Sequence, residues 1–228
     1  MAQFHMIGNH CLYNLPRTKL IPLLKIPSEN LHVYDEFSPC PEYHFIVLDA
    51  YDFSALGWPG DHKVALEANQ FLREKNPNSD KNSPNGLIGV ERRFVLFNGA
   101  VAKEQLSWLE GTLQDCDQRN QNVVVCSHLP LDPRAAAPEA LLWNYDEICD
   151  DYFLVTKIIH KFKCVKACFS GHDHKGGYCV ELLMHMGSTT VALRLLLNAL
   201  PEQTYMAMSM FIATGCLLLG LIRWHPLR

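Results

Sequence analysis

Two histidines one residue apart, in Phe169-Ser170-Gly171-His172-Asp173-His174, are the side chains of this 228-residue sequence whose type and spacing point most directly to chemistry. An apolar run, Val165 to Phe169, reads as a buried strand that stops at a glycine followed by the imidazoles. In extended or turn backbone, His172 and His174 project toward one side, and both can reach ions held at the carboxyl edge of a sheet. Alone, the pattern is equally well read as a loop with two surface histidines. Two further segments carry metal-competent residues at turns. Gly8-Asn9-His10 presents an amide oxygen beside an imidazole that can bind metal or move a proton. The valine-rich run from Asn122 reads as a fully buried strand closing on Ser127-His128-Leu129-Pro130. An Asn-His turn or a lone strand-end histidine is more often structural than ligating. Three such sites in one chain change that balance.

The elements that must position these residues follow from periodicity. Tyr43 to Ala50 reads as a strand ending in an acid, and Asp49 fits a turn-capping role better than a ligand role. Leu15 to Pro41 reads as a proline-interrupted loop with one short helix. Helical spacing at Val64, Leu66, Ala68, Phe71 and Leu72 predicts a helix from His62 to Glu74; the Asn, Pro, Ser and Gly of residues 76 to 89 predict a surface excursion. Arg93 to Phe97 is expected to be a short strand. Lys103 to Cys116 is expected to be a helix with Leu106, Leu109 and Leu113 on one face and Trp108 in the core. Trp143 to Phe162 reads as mostly helical. Strand, helix and strand then recur as in an α/β fold.

Composition bounds the function. At 48% hydrophobic residues the chain can bury a sizeable core, and one domain is the simplest reading. A net charge of -4 without a basic run argues against nucleic acid as a partner. Nine cysteines with no C-x-x-C pair argue against a disulfide framework and for a reducing, cytoplasmic compartment. No secretory signal is visible at the N-terminus.

Taken together, Gly8-Asn9-His10, the Ser127-His128 strand end and Gly171-His172-Asp173-His174 resemble the calcineurin-like metallophosphoesterase superfamily. Within it, the resemblance is closest to the plant-type branch of manganese-dependent diphosphatases acting on ADP-ribose and CDP-alcohols. Further runs look like that branch: Leu48-Asp49-Ala50-Tyr51-Asp52, Asn76-Pro77-Asn78, Phe97-Asn98-Gly99, Glu104-Gln105-Leu106 with Trp108, and Trp143-Asn144-Tyr145. The resemblance implies an αββα sandwich carrying two divalent ions, manganese first with magnesium or zinc as alternatives. It assigns Asn9, His128 and His172 to one ion and His174 to the other. It gives His10 the role of binding a phosphoryl oxygen and protonating the leaving group. Its substrates are small nucleoside diphosphates such as ADP-ribose, CDP-choline, CDP-ethanolamine and CDP-glycerol, cleaved to a nucleoside monophosphate and a phosphorylated sugar or alcohol. A non-catalytic chain and a phosphomonoesterase on the same scaffold are the alternatives.

The sequence also departs from that pattern. The family's Asp-x-His and Gly-Asp strand ends precede its Gly-Asn-His, and this chain begins at its Gly-Asn-His strand. Asn9, His128, His172 and His174 carry no negative charge, whereas two dications about 3.5 Å apart repel by about 20 kcal/mol at an effective dielectric of about 20. At most one weakly held ion and impaired turnover are therefore expected, on a fold incomplete at the N-terminus, where it leaves an unpaired, aggregation-prone sheet edge, and at the C-terminus. Cys11 stands where many superfamily members have an acid. Residues 1-181 are expected to form the partial phosphoesterase domain. Residues 182-228 read as a frame-shifted or alternatively spliced tail, because codons for Met206 to Ile212 read one nucleotide earlier can spell an alternating strand like the family's last one. Residues 205-222 are uncharged and of marginal length for a membrane span, which is the less favoured reading.

Overall fold

The computed structural model describes residues 4–143, 154–184, 191–197, 206–213 and 216–223, with side chains as far as residue 180. In chain order the elements are α1 (Asn9–Asn14), α2 (Arg17–Leu24), β1 (Asp35–Cys40), β2 (Tyr43–Val47), α3 (Lys63–Lys75), α4 (Lys103–Gln118), β3 (Asn122–Ser127), α5 (Leu154–His160), β4 (Val165–Ser170), β5 (Tyr178–Met184), β6 (Val191–Leu197), β7 (Met206–Ala213) and β8 (Cys216–Arg223). Val123, Val124 and Val125 are buried on both faces of β3, as expected of a central parallel strand. The six-stranded sheet has the order β1-β2-β3-β4-β6-β5. Strands β2, β3, β4 and β6 run parallel, and β1 and β5 pair antiparallel at the two edges. β7 and β8 form a separate antiparallel ribbon. The α/β class is thus the one the alternation of elements predicts.

Leu109, Leu113 and Cys116 of α4 and Val155, Ile158 and Ile159 of α5 share one core with Val123, Val125 and Val165 of the sheet. The Asp117 carboxylate accepts from the Cys164 backbone N–H at 3.1 Å, tying the end of α4 to the start of β4. A second cluster joins Phe71 and Leu72 of α3 to Phe53, Phe94 and Trp143.

Several expectations are corrected. Residues 93–97 are not a strand: a 3-10 turn, Gly89–Arg93, is followed by tight turns. The Arg93 carbonyl accepts from Val95 N, Asn98 Nδ2 and Trp143 Nε1, so it is unavailable to a ladder. The proline-interrupted segment before Tyr43 contains β1 as well as α2; Asp35 and Pro39 disfavour strand, but an edge position tolerates proline, and the register breaks between Phe37 and Cys40. α3 buries Ala65, Ala68, Phe71 and Leu72, leaving Leu66 57% exposed. The excursion over residues 76–89 is pinned: Asn76 is buried and donates to the carbonyls of Ser83 and Phe94. Trp143 is buried outside any helix, and residues 144–153 of the expected long helix lie outside the described residues. The side chains of the tail from residue 181 also lie outside them. No helix among the described residues is long and apolar enough to cross a membrane.

Behind the carboxyl end of β2 lies a buried polar lock. Asp49 caps its turn by accepting from Tyr51 N at 3.0 Å, and it also pairs with Arg17, both side chains being 0% exposed. Arg17 reaches both Asp49 oxygens at 2.6 and 3.0 Å, donates to the Leu31 and Tyr51 carbonyls, and lies over the Trp58 ring. Gln105 of α4 bonds Asp49 N, Asp49 O and Asp52 Oδ2. Asp52 completes the lock by pairing with His32, and that hydrogen bond raises the His32 pKa.

Two stability outcomes follow. Arg17→Met strands a buried carboxylate and should cost about 3–5 kcal/mol in urea unfolding, a loss that Asp49→Leu in the same chain should largely restore. Because the folded-state pKa of His32 is raised, its contribution is present below the unfolded value and disappears as pH climbs through the folded one. The stability gap between wild type and His32→Gln should therefore be wider at pH 6 than at pH 9, as read by melting temperature.

Candidate metal centre and substrate cleft

Because β2, β3 and β4 are parallel, their carboxyl ends share one edge, and His128 and His172 leave from that edge one and two residues beyond paired Ser127 and Ser170. Gly171 N donates to the His128 carbonyl at 3.0 Å, locking the two exits together. The imidazoles meet edge to face with centroids 5.2 Å apart. Asn9, first residue of α1, is buried, and its Oδ1 lies 3.0 Å from His128 Nε2. Gly8 makes this approach possible, since a Cβ there would fall 2.6 Å from the His128 ring.

Burial, helped by His172, His10 and His174, pushes the His128 pKa down to about 3. Burial first, then His174, pushes His172 down to about 4. Both are neutral, lone-pair-bearing imidazoles at physiological pH, the form a metal requires. His172 has a left-handed backbone, φ 68°, which costs a non-glycine residue about 1–2 kcal/mol and is typical of functional turns. Its Nε2 is 3.0 Å from Asn98 Oδ1.

Tyr51 is fully buried next to His128. Its ring lies 6.0 Å from that of His128, and its hydroxyl donates to the Phe97 carbonyl at 3.2 Å. Burial raises its pKa well above the usual value, so it stays a phenol.

Beside these residues opens a cleft of about 280 Å³ lined by Asn9, His10, Tyr13, Phe97, His172, His174 and Lys175, with Glu139 and Asp173 among its walls. The structure thus brings Asn9, His10, His172 and His174 to one cleft, with His128 packed behind Asn9. His10 and His174 are exposed, whereas Cys11 packs on the core and does not line the cleft. Asp173, between the two histidines, is no candidate ligand: its oxygens accept from Ala137 N at 2.7 Å and Lys175 N at 3.0 Å, which fixes the turn.

Among the described residues no three His, Cys, Asp or Glu side chains converge to hold a metal ion. The convergent set is two imidazoles and the Asn9 amide. As they stand, Asn9 Oδ1 and His128 Nε2 are in hydrogen-bond contact at 3.0 Å, which keeps the amide and the ring together beside the cleft. These donors fit one side of a divalent ion's shell and bring no negative charge to it. The sequence alone assigns no role to Tyr51, Phe97, Asn98 or Lys175, although the first three lie in the family-like runs Leu48 to Asp52 and Phe97 to Gly99; Lys175, next to a Gly-Gly pair, carries no signal beyond its neighbourhood.

No family model matches the chain. Over 178 residues, 78% of this chain, it is 65% identical to the manganese-dependent ADP-ribose/CDP-alcohol diphosphatase of Oryza sativa subsp. japonica, of which it covers 53%. Over 178 residues it is 56% identical to the protein of the same name from Arabidopsis thaliana, covering 55% of it, and over 189 residues 38% identical to that of Homo sapiens, covering 52%. Among solved structures, the crystal structure of a dimetal phosphatase from Danio rerio matches with a TM-score of 0.70 and 31% identity, over 85% of this chain and 59% of that one. The chain spans about half the length of the curated relatives it matches.

Gly8→Ala should push the His128 ring from its seat, weakening manganese binding by about 10–100-fold in calorimetric titration, as loss of a supporting contact does at metal sites. An unchanged affinity would mean that the ring does not need its present position.

Proposed function

We propose, for a chain that belongs to the family of manganese-dependent ADP-ribose/CDP-alcohol diphosphatases, that its cleft takes a nucleoside diphosphate linked to a sugar or alcohol and hydrolyses the P–O–P bond. The observation that supports this reading is the convergence of Asn9, His128 and His172 beside a cleft whose wall carries His10 and Lys175. Asn9, His128 and His172 would hold one divalent ion, manganese by analogy with the relatives, and hold it weakly because none of the three carries negative charge; His174 is the group that the family resemblance gives to a second ion. Bound there, such an ion supplies positive charge to polarise a phosphoryl oxygen and acidify water to a pKa of about 7. The chain's own groups do the rest. The Lys175 ammonium meets phosphate charge, and the rings of Tyr13 and Phe97 border the cleft where the base or ribose would lie. His10, exposed on the wall, is placed to hold a phosphoryl oxygen and deliver a proton to the departing phosphate.

A second reading, a nucleotide-binding chain without turnover, is favoured by one observation: the convergent donors include no carboxylate to offset cation charge. Incubation with ADP-ribose separates the two. Manganese-dependent release of AMP, reduced about 10²–10⁴-fold in His10→Ala, supports hydrolysis. Manganese and nucleotide binding without AMP release supports the second reading. Absence of manganese binding and of AMP release would overturn both.

A further inference from the structure

Asn98 is completely buried and does not line the cleft, yet it touches the segments that build it. Its amide nitrogen has two hydrogens, and both are spent: Nδ2 donates to the Arg93 carbonyl at 2.9 Å and to the Glu139 carbonyl at 2.8 Å. An oxygen in that position would face two carbonyl oxygens, so the orientation of the amide is dictated by its partners. Oδ1 is therefore the atom that faces His172 Nε2 at 3.0 Å. A carbonyl oxygen only accepts, so the ring nitrogen opposite it must carry the hydrogen.

We infer that Asn98 is a positioning residue that holds His172 as its Nε2–H tautomer, leaving the Nδ1 lone pair as the atom offered to a divalent cation. The inference rests on the metal-binding reading above and adds to it which nitrogen binds and what selects it. A neutral imidazole has one proton for two nitrogens, and a fixed acceptor on one side decides the other. Asn98 also joins the 89–93 turn to the 138–140 turn, so the acceptor and the cleft wall at Glu139 are placed by one side chain.

The test is long-range ¹H–¹⁵N NMR of the histidine rings in the full chain, first without metal and then with zinc as a diamagnetic ion. The expected spectrum shows His172 protonated at Nε2 and unprotonated at Nδ1, with zinc shifting Nδ1. A carboxylate also accepts, so Asn98→Asp should keep this tautomer while Asn98→Leu should give a mixture and bind zinc about 10–100-fold more weakly. The wild-type spectrum alone decides if the variants fold poorly. A proton on Nδ1 in wild type overturns the inference. Zinc shifts at the His128 ring and none at the His172 ring also overturn it while leaving the proposed metal site standing. Zinc shifts at neither ring remove that site, and the donor assignment with it.

Discussion

Strands that run the same way must end on the same side, and the candidate chemistry depends on that constraint. Pairing of β2, β3 and β4 in parallel register places Asp49, His128 and His172 along one edge, although 123 positions separate the first from the last. The helices α4 and α5 that return the chain between these strands cover the sheet and leave the edge open. The edge, not any single motif, makes a site out of distant histidines. α1 then brings Asn9 against His128 from outside the sheet.

A second layer of polar residues stabilises this edge from beneath. The Leu48–Asp52 run and the Glu104–Trp108 run, each recognisable in the sequence, prove to be one another's partners. Gln105 binds Asp49 and Asp52, Arg17 binds Asp49 and the Tyr51 carbonyl, and Tyr51 carries the His128 ring and the Phe97 carbonyl. Burying such groups is tolerable only because nearly every donor meets an acceptor; one Arg17 nitrogen, Nε, has none among the described residues. The outcome is a rigid base under imidazoles that must themselves stay uncharged.

Much of this was legible in the sequence. The valines of β3 announced a buried parallel strand, the apolar run of β4 announced a parallel strand that buries only Val165 and Cys168, and strand ends rich in histidine announced the edge. What stayed hidden was set by long-range partners. β1 has Phe37 as its one strong strand former among Asp35, Glu36, Ser38 and Pro39, and exists because β2 offers it a ladder. Arg93 to Phe97 reads as a strand by propensity, yet side chains from elsewhere claim its carbonyls. Nothing local distinguishes Arg17 from a surface arginine, because its counter-charge lies 32 residues away. The role of Asp49 was half visible: the turn it caps is local, the ion pair is not.

The outer edge of the sheet at β1 carries a consequence for association. Pro39 lacks an amide hydrogen, and the step in pairing between Phe37 and Cys40 puts the strand out of phase with any straight partner. Phe4 stacks on Phe37 beside it. An incoming strand from another molecule would find its hydrogen-bond ladder interrupted after two or three rungs. This flank is thus poorly suited to seed fibrils, and it owes that resistance to the residues that hid it as a strand.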